Sequence, residues 1–249
     1  MNYCLLPTVA LLLLMSGASI SAERYQVVTE EWAPYNYLED QQLTGMTTEI
    51  VRAIMAITGD DFEVVLLPSM RASHVLKSRP RTILYSMFRT PEREHAFKWV
   101  GPIVDESIHA WQLAKSPPIS SLEQLLSAPQ ITTRHAGLVP DVLESRGFDN
   151  VDRTATASQQ LYRMLLAGRT QIIAGDTDAG VAYYNQLLKI APGTLRQIPI
   201  ELYRSSLYIA FSPDSDDTLV AAWAAALEQL RQSGELGRIQ LRYEHLVTP

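Results

Sequence analysis

Cysteine is almost missing from this chain: Cys4 is the only one among 249 residues. One thiol excludes an intramolecular disulfide and a multi-thiolate metal site. Charge is missing from residues 1–22, where an apolar run from Leu5 to Met15 leads into Ser16-Gly-Ala-Ser-Ile-Ser-Ala22. A short apolar segment followed by small residues reads as a secretory signal, too short to span a bilayer. No Lys or Arg precedes the run, so only the terminal amine supplies its positive end. Cleavage is expected after Ala22, with Ala18 as the alternative, and Cys4 would leave with the signal. Cys4 stands before the apolar run rather than after it, which argues against a lipid anchor. The mature chain would then have 227 residues (249 − 22) and keep the net charge of −6. A chain of that length buries roughly 70% of its unfolded surface, so core packing must hold it together.

Other absences narrow the chemistry. No second apolar stretch approaches 18 residues, so the mature chain is expected to be soluble. The five histidines, His74, His95, His109, His135 and His245, have no ligand spacing, which argues against a metal site. No G-x-S-x-G, P-loop or G-x-G-x-x-G occurs, and no cofactor is implied. Mild acidity argues against nucleic acid as a partner.

Two strand–helix alternations are present, one in each half. Tyr25 to Thr29 alternates as a strand, and the aromatic loop Trp32-Ala-Pro-Tyr-Asn-Tyr37 follows. A helix is predicted over 47–57, capped by Thr47 or Thr48, after Gly45. Strands are predicted over 62–67 and 82–85, with a helix over 70–77 between them. Phe97 to Pro102 reads as a buried strand. The second half starts afresh near Ile108, with helices over 121–126, 141–146, 157–167 and 178–188 and strands over 130–133 and 170–174. A strand over 207–211 and a long helix opened by Asp216 or Asp217 complete the pattern. Strands separated by helices imply parallel sheets covered on both faces.

Four constellations carry polar chemistry. Trp32, Tyr35 and Tyr37 form either a platform for an apolar or cationic ligand or a cover for the core edge. In Arg89-Thr-Pro-Glu-Arg-Glu94, Arg93 has the shape to grip a carboxylate with two parallel hydrogen bonds. Thr90 would add a hydroxyl, and backbone amides around Ser86 to Phe88 would add donors. A surface ion-pair cluster among Arg89, Glu92, Arg93 and Glu94 is the competing reading. Asp176 follows a strand and precedes a helix, placing it where α/β sheets bind ligands. It would pair with an ammonium, unless it caps the helix; Thr177 or Asp178 is the expected cap. Arg134, in Thr133-Arg134-His135-Ala-Gly137, is either a second clamp or part of a plain turn. Glu30 and Glu31 would point to opposite faces of a strand and form no evident acid–base pair.

Taken in order, these pieces resemble the bacterial extracellular solute-binding proteins of family 3, which carry polar amino acids to ABC importers. The resemblance runs through Glu31-Trp-Ala-Pro-Tyr-Asn-Tyr37, Gly45 with its helix, Arg89 to Glu94, Trp99-Val-Gly-Pro102 and Gly175-Asp176. It closes with Leu227 to Leu230, Gly234, Leu236, Ile239 and Tyr243. It implies the type II periplasmic binding protein fold: two α/β lobes joined by two hinge strands, with the ligand cleft between them. Lobe 1 would be residues 23–109 plus 206–249, and lobe 2 residues 110–205. The resemblance makes Arg93 the holder of an α-carboxylate with Thr90 beside it, and Asp176 the acid for an α-ammonium. Trp32 becomes the stacking aromatic and Arg134 the basic contact from lobe 2. A monomer is expected, with a small amino acid-like ligand and a membrane ABC permease or sensor receptor as partners.

The departures fall on the pocket. Ser86 and Phe88 stand where the family often has a small hydroxylic residue and a glycine. Leu138 replaces an expected glycine. Thr29 replaces a first acidic contact, with Glu30 next in line. The segment Tyr85 to Glu94 resembles a poorly characterised subgroup. The same fold hosts a periplasmic dehydratase of cyclic carboxylic acids, so an enzyme using Glu30, Glu31 or Asp176 is the alternative function. A ligand-presenting protein for a membrane sensor is another.

Overall fold

The computed structural model describes residues 24–247. The expected signal segment 1–22, with Cys4, lies outside them. The chain runs β1 (Gln26–Thr29), β2 (Tyr37–Glu39), β3 (Gln42–Thr44), α1 (Met46–Thr58), β4 (Val64–Leu66), α2 (Ser69–Ser78), β5 (Thr82–Phe88) and β6 (Lys98–Leu113). It continues through α3 (Leu122–Leu126), β7 (Ile131–Arg134), α4 (Leu138–Ser145), β8 (Val151–Ala155), α5 (Ser158–Leu166) and β9 (Ile172–Ile173). The last elements are α6 (Asp178–Leu187), β10 (Leu195–Phe211), α7 (Asp217–Gln232) and α8 (Glu235–Val247).

An eight-stranded sheet has the order β4-β1-β5-β10-β6-β9-β7-β8. β1 pairs in parallel with β4 and β5, and β7 pairs in parallel with β8 and β9. Between these groups run β6 and β10, antiparallel to each other over almost their full length. β10 meets β5 at Leu207 to Phe211, whereas β6 meets β9 at Trp111 and Gln112. One pair of long strands therefore serves both halves of the molecule. The sheet is mixed, not purely parallel, because this ribbon crosses it. Its register shifts between Gln197 and Glu201, Glu201 and Tyr203, and Leu207 and Ile209.

The cap of α1 differs from expectation. Gly45 is the N-cap, at φ 113°, and no side chain caps the helix. Backbone carbonyls of the aromatic loop do so instead. Met46 N donates to Pro34 O at 3.0 Å, and Thr47 N and Thr48 N donate to Tyr35 O at 2.9 and 3.2 Å. The threonines are buried, and the Thr48 hydroxyl bonds Tyr85 Oη at 3.1 Å. The aromatic loop and α1 are thus one unit, and glycine is what lets them touch. A Cβ on residue 45 would lie 2.4 Å from Tyr35 O. Gly45→Ala should destabilise the protein by more than about 1 kcal/mol, since alanine meets both a clash and a disfavoured φ. Urea unfolding measures this, and an unchanged midpoint would show that the loop moves away freely.

Other elements also depart from the periodicity. α4 starts at Leu138, three residues before the expected Asp141, because Gly137 turns the chain at φ 118° directly after β7. Thr177, one of the two expected caps, opens α6 by accepting from Gly180 N at 3.1 Å. α3 carries a full capping box between Ser121 and Gln124. The largest core cluster spans both halves, from Trp223 and Phe211 to Ile108, Leu161 and Tyr162.

Candidate functional site

The site is built where loops at the ends of β1, β5 and β7 face one another. Asn36, fully buried, fixes the first loop: its Nδ2 donates to Glu30 O and its Oδ1 accepts from Ser86 Oγ. Ser86 sits on β5 at φ 62°, an uncommon backbone for a non-glycine residue. These bonds set Glu30, Trp32 and Ser86 around a small cavity of about 50 Å³. Phe88, Arg93, Ile108, Arg134, Leu138 and Val139 line it further. Glu30, Ser69 and Arg134 also line a wider outer cavity of about 480 Å³, bounded by Glu31, Ser158, Tyr183 and Tyr184.

Arg93 is not part of an ion-pair cluster. Arg89 takes Glu94 in a two-pronged pair, with its Nε donating to Oε2 at 2.6 Å. Arg89 also lies over the rings of Trp99 and Tyr208 at 5.8 and 5.4 Å. Arg93 is left with one long bond, from Nη1 to Phe88 O at 3.4 Å, and no salt bridge among the described residues. Burial lowers its guanidinium pKa, because charge is disfavoured away from water. A partly buried guanidinium with no salt bridge keeps donors available for an anion.

Trp32 does both things the loop allowed. It covers the core edge, with ring centroids 5.0 Å from Tyr35 and 5.6 Å from Phe88, and it lines the inner cavity. Its indole N–H is buried and turned toward Asp176 without a close hydrogen bond. Phe88 is wedged between Trp32 and Tyr203, whose ring centroid lies 5.3 Å away, and narrows the inner cavity.

Arg134 reaches the cavity from the opposite side. Its Nη1 lies 3.6 Å from Glu30 Oε2, an ion pair too long to be a hydrogen bond. A second bridge joins Tyr35 Oη to Thr177 Oγ1 at 2.6 Å, fully buried. Tyr37 and Tyr183 add a tilted ring contact at 5.1 Å. The first turn of α6 lies against Ala33 because residue 180 is glycine; a Cβ there would stand 3.3 Å from Ala33 O.

Three expected site residues do not face the cavity. Asp176 is only 2% exposed and lines neither cavity. It accepts from Ser158 Oγ at 2.6 Å and Tyr162 Oη at 3.0 Å, so it is not the free acid expected after β9. Burial raises its pKa, and Arg134, the two hydroxyls and the Trp32 indole oppose that rise. Thr90 is buried outside the lining, and its carbonyl accepts from Arg93 N at 3.0 Å. Tyr35 is consumed by its bond to Thr177. Trp32, Ser86, Glu30, Arg93 and Arg134 do meet at the inner cavity.

Glu106 escaped sequence reasoning. It lies on β6, mostly buried, with its pKa raised to about 7 by burial and by the charges of Asp178 and Asp105, while the Tyr35 hydroxyl opposes the rise. Nothing in Val104-Asp-Glu-Ser107 marks it, since a strand interior and an exposed turn share such composition. Tyr183 and Tyr184 also escape sequence reasoning; the paired tyrosines past the middle of α6 are the available signal.

Two α/β groups bridged by two long strands define the type II periplasmic binding protein fold. The profile of the bacterial extracellular solute-binding proteins, family 3, matches residues 15–245, and the chain belongs to that family. No curated protein matches it in sequence. Among solved structures, a histidine kinase sensor domain with similarity to periplasmic binding proteins aligns with TM-score 0.80 at 20% identity, covering 91% of this chain and 98% of that one. The ligand-binding core of GluR0 from Nostoc punctiforme, in complex with L-glutamate, gives 0.76 at 16%, covering 89% and 99%. The arginine-, lysine-, histidine-binding protein ArtJ from Geobacillus stearothermophilus gives 0.74 at 19%, covering 88% and 95%.

Proposed function

We propose that this protein captures a small carboxylate-bearing solute, an amino acid or a relative, between its lobes and presents the closed form to a membrane partner. The observation that carries this reading is Arg93: a partly buried guanidinium with no salt bridge among the described residues, lining a cavity walled by Trp32 and Phe88. The ligand carboxylate supplies the missing charge, and exclusion of water strengthens the pair. Lobe 1 is taken as 23–109 plus 206–249 and lobe 2 as 110–205, with the changeover on β6 and β10. The family's extracellular setting supports a periplasmic location and a secretory signal in residues 1–22.

The protein is read as a binder and not an enzyme. Glu106, whose pKa near 7 would suit a general base, points at Tyr35 and lines neither cavity. Purified protein is expected to leave prephenate and arogenate unchanged; turnover of either would establish the dehydratase alternative. The partner is an ABC permease on the family's precedent. The likeness to a kinase sensor domain favours a second reading, presentation to a membrane sensor.

A thermal-shift panel of amino acids and small carboxylates tests the reading. At ten times its dissociation constant, a ligand adds about 1.4 kcal/mol, a rise of roughly 3–5 °C for a protein of this size. No shift from any carboxylate would overturn it.

A further inference from the structure

Two charged groups at the inner cavity keep bonding capacity, and they are of opposite sign. Arg93 offers donors and positive charge beyond its one long bond to Phe88 O. Glu30 Oε2 is a buried acceptor with no hydrogen bond, reached only by the ion pair to Arg134 at 3.6 Å. The Trp32 indole already has Asp176 as its polar neighbour. A simple anion would satisfy Arg93 and leave Glu30 worse off, because it would add like charge beside a desolvated carboxylate. A ligand with an anionic end and a cationic donor satisfies both.

Resting on the amino acid reading above, the geometry points to Glu30, and not Asp176, as the residue that accepts the ligand's ammonium. Asp176 already holds two hydroxyl hydrogen bonds and is sealed from the cavity. Gly175, not Asp176, is the part of that segment that lines it, packed so closely that a Cβ would fall 2.4 Å from Leu161 Cδ1. An ammonium could reach Asp176 only by displacing Ser158 or Tyr162. Glu30 need only exchange its long ion pair with Arg134 and breaks no hydrogen bond at Oε2.

The cavity sizes divide the ligand. About 50 Å³ has room for roughly three to five waters, which matches an ammonium, a carboxylate and the carbon between them. The two cavities share Glu30, Ser69 and Arg134, so the side chain extends past these residues toward Tyr183 and Tyr184, with the long Glu30–Arg134 pair parting to admit it. Glu30 thereby sets the choice between an amino acid and the same acid without its amine.

The test uses calorimetry on the full mature protein. Each amino acid that shifts the melting temperature is compared with its deaminated or 2-hydroxy counterpart. Glu30→Gln should lower the preference for the amine-bearing member of each pair by about tenfold or more, the worth of a charged hydrogen bond. Glu30→Asp, which keeps the charge one methylene back, should retain most of that preference and guards against a Gln variant that fails to fold. Asp176→Asn should leave the preference within about threefold of the wild type. Loss of the preference in Asp176→Asn with its survival in Glu30→Gln would overturn the assignment while leaving the amino acid reading intact. Wild-type binding of the deaminated acids alone would overturn the assignment too. Absence of binding by either member of every pair would overturn both.

Discussion

Arg93→Ala is expected to weaken ligand binding by about 2–5 kcal/mol, between thirtyfold and several thousandfold in dissociation constant. The size follows from what the substitution leaves behind. A carboxylate in a small closed cavity, stripped of water, would face Trp32, Ser86 and Phe88 without a cation. Arg134 cannot replace Arg93, because it already lies between Glu30 and Asp176. Thermal stability without ligand should change far less, because Arg93 contributes one 3.4 Å bond and carries an unpaired buried charge. The separation of the two effects distinguishes a ligand clamp from a structural arginine. An unchanged dissociation constant, measured by calorimetry, would remove Arg93 from the site.

Glu106→Gln is expected to flatten the pH dependence of stability. The Glu106 carboxyl has its folded pKa raised to about 7, above its unfolded value near 4.5. Between those values the folded state holds more protons than the unfolded one, so stability falls as pH rises from about 4.5 to about 7. Above that window the loss is complete, and below it the carboxyl is neutral in both states. Gln mimics the neutral form at every pH. The variant should therefore match the wild type near pH 4.5 and exceed it by about 2–3 kcal/mol at pH 8. Urea unfolding at the two pH values makes the comparison. Equal slopes for both proteins would mean that Glu106 is solvated. The groups facing it are Tyr35, Asp178 and Asp105, so the titration is felt between the aromatic loop, α6 and β6.

Much of this architecture is readable from local pattern. β1, α1, α2, α5, α6 and α7 fall within a few residues of their periodic signals, because each has one apolar face over a continuous core. β8 was not seen: Val151-Asp-Arg-Thr-Ala155 is half polar, and only its pairing with β7 makes it a strand. β10 was read only from Leu207, since Pro199 interrupts its first half and the strand survives there by shifting register. The hairpin of β2 and β3 turns on Asp40 and Gln41, both at positive φ, which composition does not announce.

The site was legible to the same limit. Arg93 is visible as a candidate, but its freedom from Glu94 depends on Arg89 taking that carboxylate, a matter of three-dimensional reach. Asp176 looked free because its partners, Ser158 and Tyr162, lie 18 and 14 residues upstream on another helix. Glu30 shows the converse. Its neighbours in sequence say little, and its unsatisfied oxygen emerges only when β7 brings Arg134 alongside.

The ribbon of β6 and β10 has a mechanical consequence. Two strands bonded side by side resist rotation about either one, since any twist of one shears the hydrogen bonds to the other. The register shifts near Glu201 and Leu207 interrupt those bonds at two levels, where such irregularities bend a strand. The connection therefore works as a strap with a crease and not as a swivel. Any motion of one parallel group against the other would be confined by such a strap to bending at those two levels.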